Sequence, residues 1–263
     1  MLSTFLIALR EGMEAALIVS ILLAYLKRSE RPGSRYIWIG VIAALVLSFG
    51  LGAFLSFTST QLSVKGEQIF AGTTSVAAVV FVVGMVFWMK RSARFISKQL
   101  QEKVDASIPL GSIGLISVAF FAVVREGLET ALFIYSNFKT VSSDTAPSIG
   151  LVLGLFAAVS LGVLTYRKSV KINLGTFFKY TGIALLIVAA GVLSHALHEF
   201  QEFGALPGAH AFAWNIGGGG SFIATVLDGT IGISTSITWL QLAVWALFLG
   251  TTLRIYLRKP VAA

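Results

Sequence analysis

The segment LSTFLIALREGMEAALIVSILLAYL (residues 2–26) is apolar except for one cluster, Arg10-Glu11-Gly12-Met13-Glu14. The segment LGSIGLISVAFFAVVREGLETALFIYSNF (residues 110–138) repeats the pattern with Arg125-Glu126-Gly127-Leu128-Glu129. Each is long enough to cross a bilayer, for which about 20 mostly apolar residues suffice. An ionised residue at the centre of such a helix costs about 2.5–3.5 kcal/mol on the insertion scales. Six ionisable residues placed there twice over, in the same order, imply a function that handles charge.

The rest of the chain agrees with a membrane setting. Of its 263 residues, 56% are hydrophobic and 12% charged, with a mean hydropathy of +0.85. Soluble domains are about one quarter charged. With no cysteine, disulfides, thiolate metal sites and iron–sulfur clusters are excluded. The net charge of +8 does not indicate nucleic acid, because the basic residues flank apolar segments as membrane topology requires. The N-terminus has no basic run and Arg10 interrupts its apolar stretch, so the first segment is expected to be a retained span rather than a cleaved signal.

Seven stretches qualify as spans: 2–26, 35–57, 68–90, 110–138, 148–166, 176–197 and 237–257. Their runs are continuous rather than alternating, which favours helices over barrel strands. Apart from Arg10 and Arg125, sixteen of the eighteen basic residues fall in alternate connections or at the C-terminus, from Lys27, Arg28, Arg31 and Arg35 to Arg254, Arg258 and Lys259. The positive-inside rule makes that side cytoplasmic, with the N-terminus outside and the C-terminus inside. The expected fold is therefore all-α and polytopic. Residues 1–90 form a first three-helix repeat and 91–109 a cytoplasmic amphipathic linker. Residues 110–197 form a second repeat of inverted orientation, 198–236 an external loop, and 237–263 a seventh helix with a cytoplasmic tail. Inverted repeats with a site at the midplane are a common transporter plan.

Residues three and four apart share a helical face. Glu11 with Glu14, and Glu126 with Glu129, can converge, while Arg10 reaches Glu14 and Arg125 reaches Glu129. The glycines permit close approach of a neighbouring helix. Each string carries two carboxylates and one guanidinium, so a facing pair is net −2 and suits a hard, multiply charged cation. The same groups also suit salt bridges that fix helix packing, or a proton relay. A second cluster, His195, His198, Glu199 and Glu202, falls on one helical face near the end of the sixth span. It reads either as an external metal-capture site or as a solvated helix end. His210, Asp228 and the run Gly217–Gly220 follow in the loop. Glu102 and Asp105 read either as plain surface or as groups that meet metal on the inner side. Tyr36, Trp38, Trp88 and Tyr256 sit near span ends, as an interfacial aromatic belt does, and Lys179 is placed to snorkel.

Two Arg-Glu-Gly-X-Glu strings on the first and fourth of seven spans resemble the oxidase-dependent iron transporters, the high-affinity iron permeases. Tyr25-Leu26-Lys27-Arg28, Val86-Phe87-Trp88-Met89 and Asn173-Leu174-Gly175-Thr176-Phe177-Phe178-Lys179 are similar to the family's bacterial branch. The resemblance implies uptake of iron across the cytoplasmic membrane and no enzyme activity. It implies Glu11, Glu14, Glu126 and Glu129 as ligands, Arg10 and Arg125 as supporting charges, and no permanently bound cofactor. It also implies a periplasmic iron-binding lipoprotein and a haem peroxidase-like or ferroxidase partner. Ferrous and ferric iron both remain open, as do manganese, zinc or a basic solute as substrate. A membrane redox subunit is the reading of a different class. It would need facing histidines, and His195 and His198 share one helix.

Overall fold

A computed structural model describes residues 2–30, 32–60, 62–92, 96–140, 145–166, 173–215 and 234–258. Among these, the long helices are α1 (Leu2–Arg28), α2 (Ser34–Thr60), α3 (Val64–Ser92), α5 (Gly111–Thr140), α6 (Thr145–Tyr166), α7 (Leu174–Glu202) and α8 (Trp239–Leu257). The short α4 (Ile96–Ser107) precedes α5, and β1 (Phe212–Asn215) pairs antiparallel with β2 (Ser236–Thr238). Six helices are long and apolar enough to cross a membrane. The remaining long helix, α1, has the length at 27 residues, about 40 Å at 1.5 Å per residue, but carries Arg10, Glu11 and Glu14. Val46, Phe49, Phe121, Val152 and Phe156 are largely exposed on the outer faces of these helices, as lipid contact requires.

Each span expected from composition coincides with one of these helices. Two differences stand out. Helix α7 runs through Glu202 rather than ending at 197, so His198, Glu199 and Glu202 belong to its last two turns. The expected loop 198–236 also contains β1 and leads into β2, a departure from an all-α chain. The hairpin seats α8: Thr238 caps its N-terminus in a reciprocal capping box with Gln241. Buried Gln201 accepts from Thr238 Oγ1 at 3.0 Å, and Gln241 donates to the Ser194 carbonyl at 3.1 Å. The positions Arg31, Arg94, Arg167, Lys168, Lys171, Gly217–Gly220, Asp228 and Lys259 lie outside the described residues.

Helices α1 and α5 are antiparallel. Ile7, near the start of α1, shares a buried cluster with Phe133, near the end of α5, while Leu22 and Leu26 share another with Leu115 and Ala119. The motif helices do not pack mainly on their own sequence neighbours. Helix α1 lies against α6, and α5 lies against α2; α3 and α7 pair with each other. Small residues make the first two pairings close. A Cβ on Gly12 would stand 2.7 Å from Ala158 Cβ, and one on Gly162 2.6 Å from Ala16 Cβ. On the other side, a Cβ on Gly127 would stand 2.0 Å from Ser48 Oγ, and one on Gly52 4.0 Å from Ala131 Cβ. The same two places on each motif helix, the glycine of the string and the alanine one turn later, meet small residues spaced one turn apart. Gly40, Ala44, Ser48 and Gly52 form this stripe on α2, and Gly150, Gly154, Ala158 and Gly162 form it on α6. In lipid, where no hydrophobic force drives helices together, such stripes supply packing through close backbone approach.

Helix α4 docks by Leu100 and Val104, both buried against Leu22, Leu26, Ile37 and Val41, and by Asp105, which accepts a 2.6 Å hydrogen bond from Tyr25. The amphipathic linker is thus one wall of the bundle at the end where the basic residues gather.

Candidate metal centre

The two strings meet halfway along α1 and α5. Carboxylate oxygens of Glu11, Glu126 and Glu129 lie within 4.8 Å of one another, a separation that one cation can bridge. Glu11 and Glu126 are 3% and 4% exposed. Helical spacing puts Glu126 and Glu129 on one face of α5, and antiparallel packing brings Glu11 to it. Close seating of α6 on Gly12 and of α2 on Gly127 holds both backbones in place.

The fourth carboxylate is used differently. Glu14 Oε1 accepts from Arg10 Nε at 3.1 Å, and both side chains are 1% exposed. A buried ion pair of this kind neutralises a charge that could not stand alone. Arg125 is not its mirror image. Its Nε lies 3.4 Å from Glu126 Oε1 and 3.3 Å from Glu129 Oε1, and its side chain is 40% exposed. Its Cζ sits 4.4 Å from the centroid of the Trp88 ring. Trp88, expected as an interfacial marker, is therefore part of this centre. Tyr256, expected in the same belt, is 4% exposed and donates to the Phe178 carbonyl at 3.2 Å. Tyr36 and Trp38 do have the exposure an interfacial position requires.

Buried polar atoms are normally hydrogen-bonded. Here the Oε2 atoms of Glu11, Glu14, Glu126 and Glu129 have no hydrogen-bond partner, and neither do Arg10 Nη1, Arg125 Nε and Arg125 Nη2. Of these four carboxylates, the three that converge, Glu11, Glu126 and Glu129, are a donor set suited to a cation that prefers oxygen.

Two cavities end at this point. One, of about 740 Å³, lies between the α1–α6 and α2–α5 pairs; Glu11, Glu126, Ser48, Ser56, Thr130 and Tyr135 provide its polar lining. The other, of about 230 Å³, lies toward the end holding α4 and is lined by Glu14, Trp88, Gln99, Lys103, Arg125 and Glu126 among others. Glu126 borders both. Ser48, Thr130 and Tyr135 carried no site signal in the sequence, and Trp88 read only as an interfacial marker, because uncharged residues in an apolar run reveal their orientation only once helix partners are known.

The histidine cluster forms two i,i+4 pairs. His195 Nε2 lies 3.3 Å from Glu199 Oε1, and His198 Nε2 lies 3.1 Å from Glu202 Oε1. Glu202 also accepts from Gln68 of α3 at 2.9 Å. Among the described residues, the only three acidic or imidazole groups that bring ligand atoms together are Glu11, Glu126 and Glu129. Glu102 pairs with Lys98 at 3.8 Å on the exposed face of α4, a surface role, whereas Asp105 joins α4 to α1 through Tyr25.

Residues 1–256 match the model of the Iron permease FTR1 family. The chain is 38% identical to the "Ferrous iron permease EfeU" of Escherichia coli O157:H7, over 98% of this chain and 96% of that protein. It is 37% identical to the "Putative inactive ferrous iron permease EfeU" of Escherichia coli strain K12, over the same shares. It is 34% identical to the "Ferrous iron permease EfeU" of Yersinia pestis, over 97% and 93%. No solved structure matches the chain.

Proposed function

From the premise that this chain belongs to the iron permease FTR1 family, a family of transporters and not of enzymes, we propose that it takes up ferrous iron through the carboxylate centre between α1 and α5. The observation that carries this reading is the convergence of Glu11, Glu126 and Glu129 at the meeting point of two cavities. Iron enters by the larger cavity, exchanges water for carboxylate oxygen, and leaves past Glu126 toward α4. Glu14 serves the site indirectly, by holding Arg10. The ferrous state is adopted from the names of the relatives; carboxylates alone accept both oxidation states.

The proposed topology has seven spans in a 3+3 inverted repeat plus one, including α1, with the N-terminus outside and the C-terminus in the cytoplasm. The exchange of partners, α1 with α6 and α5 with α2, supports the repeat, because swapping the two halves leaves it unchanged. The basic residues at the end of the bundle that holds α4, Lys27, Arg28, Lys90, Lys103 and Arg254 among them, support the orientation and a place in the cytoplasmic membrane. His195, His198, Glu199 and Glu202 then stand at the outer mouth as a capture site. A periplasmic iron-binding lipoprotein, with a haem peroxidase-like or ferroxidase partner, would deliver there.

Uptake of radiolabelled iron by proteoliposomes, anaerobic and with ascorbate, tests the reading. Wild type is expected to accumulate iron, and Glu11→Gln, Glu126→Gln and Glu129→Gln to lose at least nine-tenths of the rate. Normal uptake in any of them removes that residue from the site. Accumulation of manganese or zinc in preference to iron would change the substrate.

A further inference from the structure

The two strings are chemically alike, yet their arginines are held in unlike ways. Arg10 is sealed against Glu14. Arg125 makes no hydrogen bond through Nε although two carboxylates stand beside it. Its Nε–O separations of 3.3 and 3.4 Å exceed the roughly 2.7–2.9 Å of a charge-assisted bond. These ion pairs are longer than the 3.1 Å of Arg10 to Glu14, and they are not the only contact of the guanidinium: Cζ lies 4.4 Å from the Trp88 indole centroid, well within the reach of a cation–π interaction. Among the described residues, Arg10 has no such aromatic partner; the other cation–π pair joins Lys90 to Tyr256. Trp88 is 41% exposed and borders two recesses at once, one with Glu14 and Glu126, the other with Glu129.

We propose that Trp88 is a positioning residue of the metal centre: its indole face draws the Arg125 guanidinium off Glu126 and Glu129 and keeps those carboxylates open to an incoming metal ion. A guanidinium is the natural competitor for this site, since it matches carboxylate geometry and cannot be deprotonated. Without Trp88 it settles on the carboxylates as a bidentate partner, and the metal must displace it. With Trp88, the positive charge stays close enough to balance the site while it is empty and has a second seat when a dication arrives. The asymmetry has a clear use: one arginine is fixed and structural, the other is the displaceable one. This inference rests on the reading of Glu126 and Glu129 as metal ligands.

Calorimetric titration of the full-length, detergent-solubilised protein with ferrous iron under anaerobic conditions tests it, alongside uptake in proteoliposomes. Trp88→Leu is expected to weaken the Kd about three- to thirty-fold, the range that cation–π pairs carry, and to raise the KM of uptake with the maximal rate nearly unchanged. Trp88→Phe, which keeps a ring face, is expected to recover most of the loss. In an Arg125→Gln background, Trp88→Leu is expected to have no further effect on Kd. Should Trp88→Leu fail to fold, Arg125→Lys provides the second arm: a compact ammonium leaves the ring for the carboxylates, and the Kd weakens with Trp88 in place. An unchanged Kd in Trp88→Leu or in Arg125→Lys overturns the inference. So does equal loss in Trp88→Leu and Trp88→Phe, or a full Trp88→Leu effect without Arg125. If wild type binds iron with this pattern of variants but does not transport it, the transport reading falls and this inference stands.

Discussion

Gly127→Ala is the most revealing single substitution, because its cost can be worked from one contact. The added Cβ would stand 2.0 Å from Ser48 Oγ and 2.8 Å from Ser48 Cβ. Rotating the hydroxyl away relieves only the first, and sacrifices the 2.8 Å bond that Ser48 Oγ donates to the Ala44 carbonyl. The carbon–carbon contact remains about 1 Å inside the usual 3.5–4.0 Å separation, so α2 must move off α5. Overpacking costs about 1–3 kcal/mol and the lost hydrogen bond about 0.5–1.5 kcal/mol. Alanine returns about 1 kcal/mol through helix propensity. The net loss is about 0.5–3.5 kcal/mol, centred on about 2 kcal/mol, which at the centre is a factor of about 30 in the folded ratio. It falls on the residue next to Glu126, so uptake should decline with it. The assay is reversible unfolding in detergent, paired with ferrous uptake in proteoliposomes. Gly50→Ala, on α2 with nothing within 4 Å of the new Cβ, is the control and should be neutral or stabilising. Ser48→Gly should rescue Gly127→Ala, as Ala158→Gly should rescue Gly12→Ala. If Gly127→Ala behaves like Gly50→Ala, or Ser48→Gly brings no rescue, then α2 and α5 do not pack as described.

Glu14→Ala and Glu129→Gln should fail in different ways. The first leaves Arg10 buried without its partner, at a cost of about 3–5 kcal/mol, so the amount of protein in the membrane should drop, and Arg10→Leu should restore the level but not uptake. The second should leave the level unchanged while abolishing uptake; equal membrane levels for both single variants would refute the distinction. The cysteine-free sequence is ready for topology mapping. Lys27→Cys should react with an impermeant maleimide only from the cytoplasmic side and Ser63→Cys only from outside, and the reverse result would invert the proposed orientation. His198→Ala and Glu202→Gln should raise the half-saturating iron concentration several-fold at constant maximal rate, and an unaltered concentration dependence would assign those pairs to the helix end alone.

The spans were legible because a continuous apolar run of twenty residues or more suits little besides a helix in lipid. The linker 91–109 read as amphipathic, but its docking through Leu100 and Val104 on the other helices was not legible, because spacing gives an apolar face and not what covers it. The carboxylate cluster was legible in its residue types, since carboxylates have no ordinary place among leucines. Its division of labour was not. Glu14 and Glu129 occupy the same place in the two strings, and only their neighbours set them apart: Arg10 sealed against the one, and beside the other an Arg125 that also touches Trp88. The stripes Gly40–Gly52 and Gly150–Gly162 stand in the sequence at four-residue intervals. Within apolar helices rich in glycine and alanine, that spacing points to a face but not to the helix that covers it. The strand Phe212–Asn215 is too short for periodicity to announce, and its partner lies twenty residues further along.

The exchange of partners between the halves also constrains how the protein is made. On the proposed topology helix α1 brings Arg10, Glu11 and Glu14 into the membrane first, yet the helix that covers it, α6, ends about 140 residues later. At about 5–20 residues per second of synthesis, that is a delay of roughly 7–28 seconds. For most of it, α1 has neither its packing partner nor the facing string on α5, which ends at Thr140. The first three helices therefore do not complete an independent folding unit as they emerge.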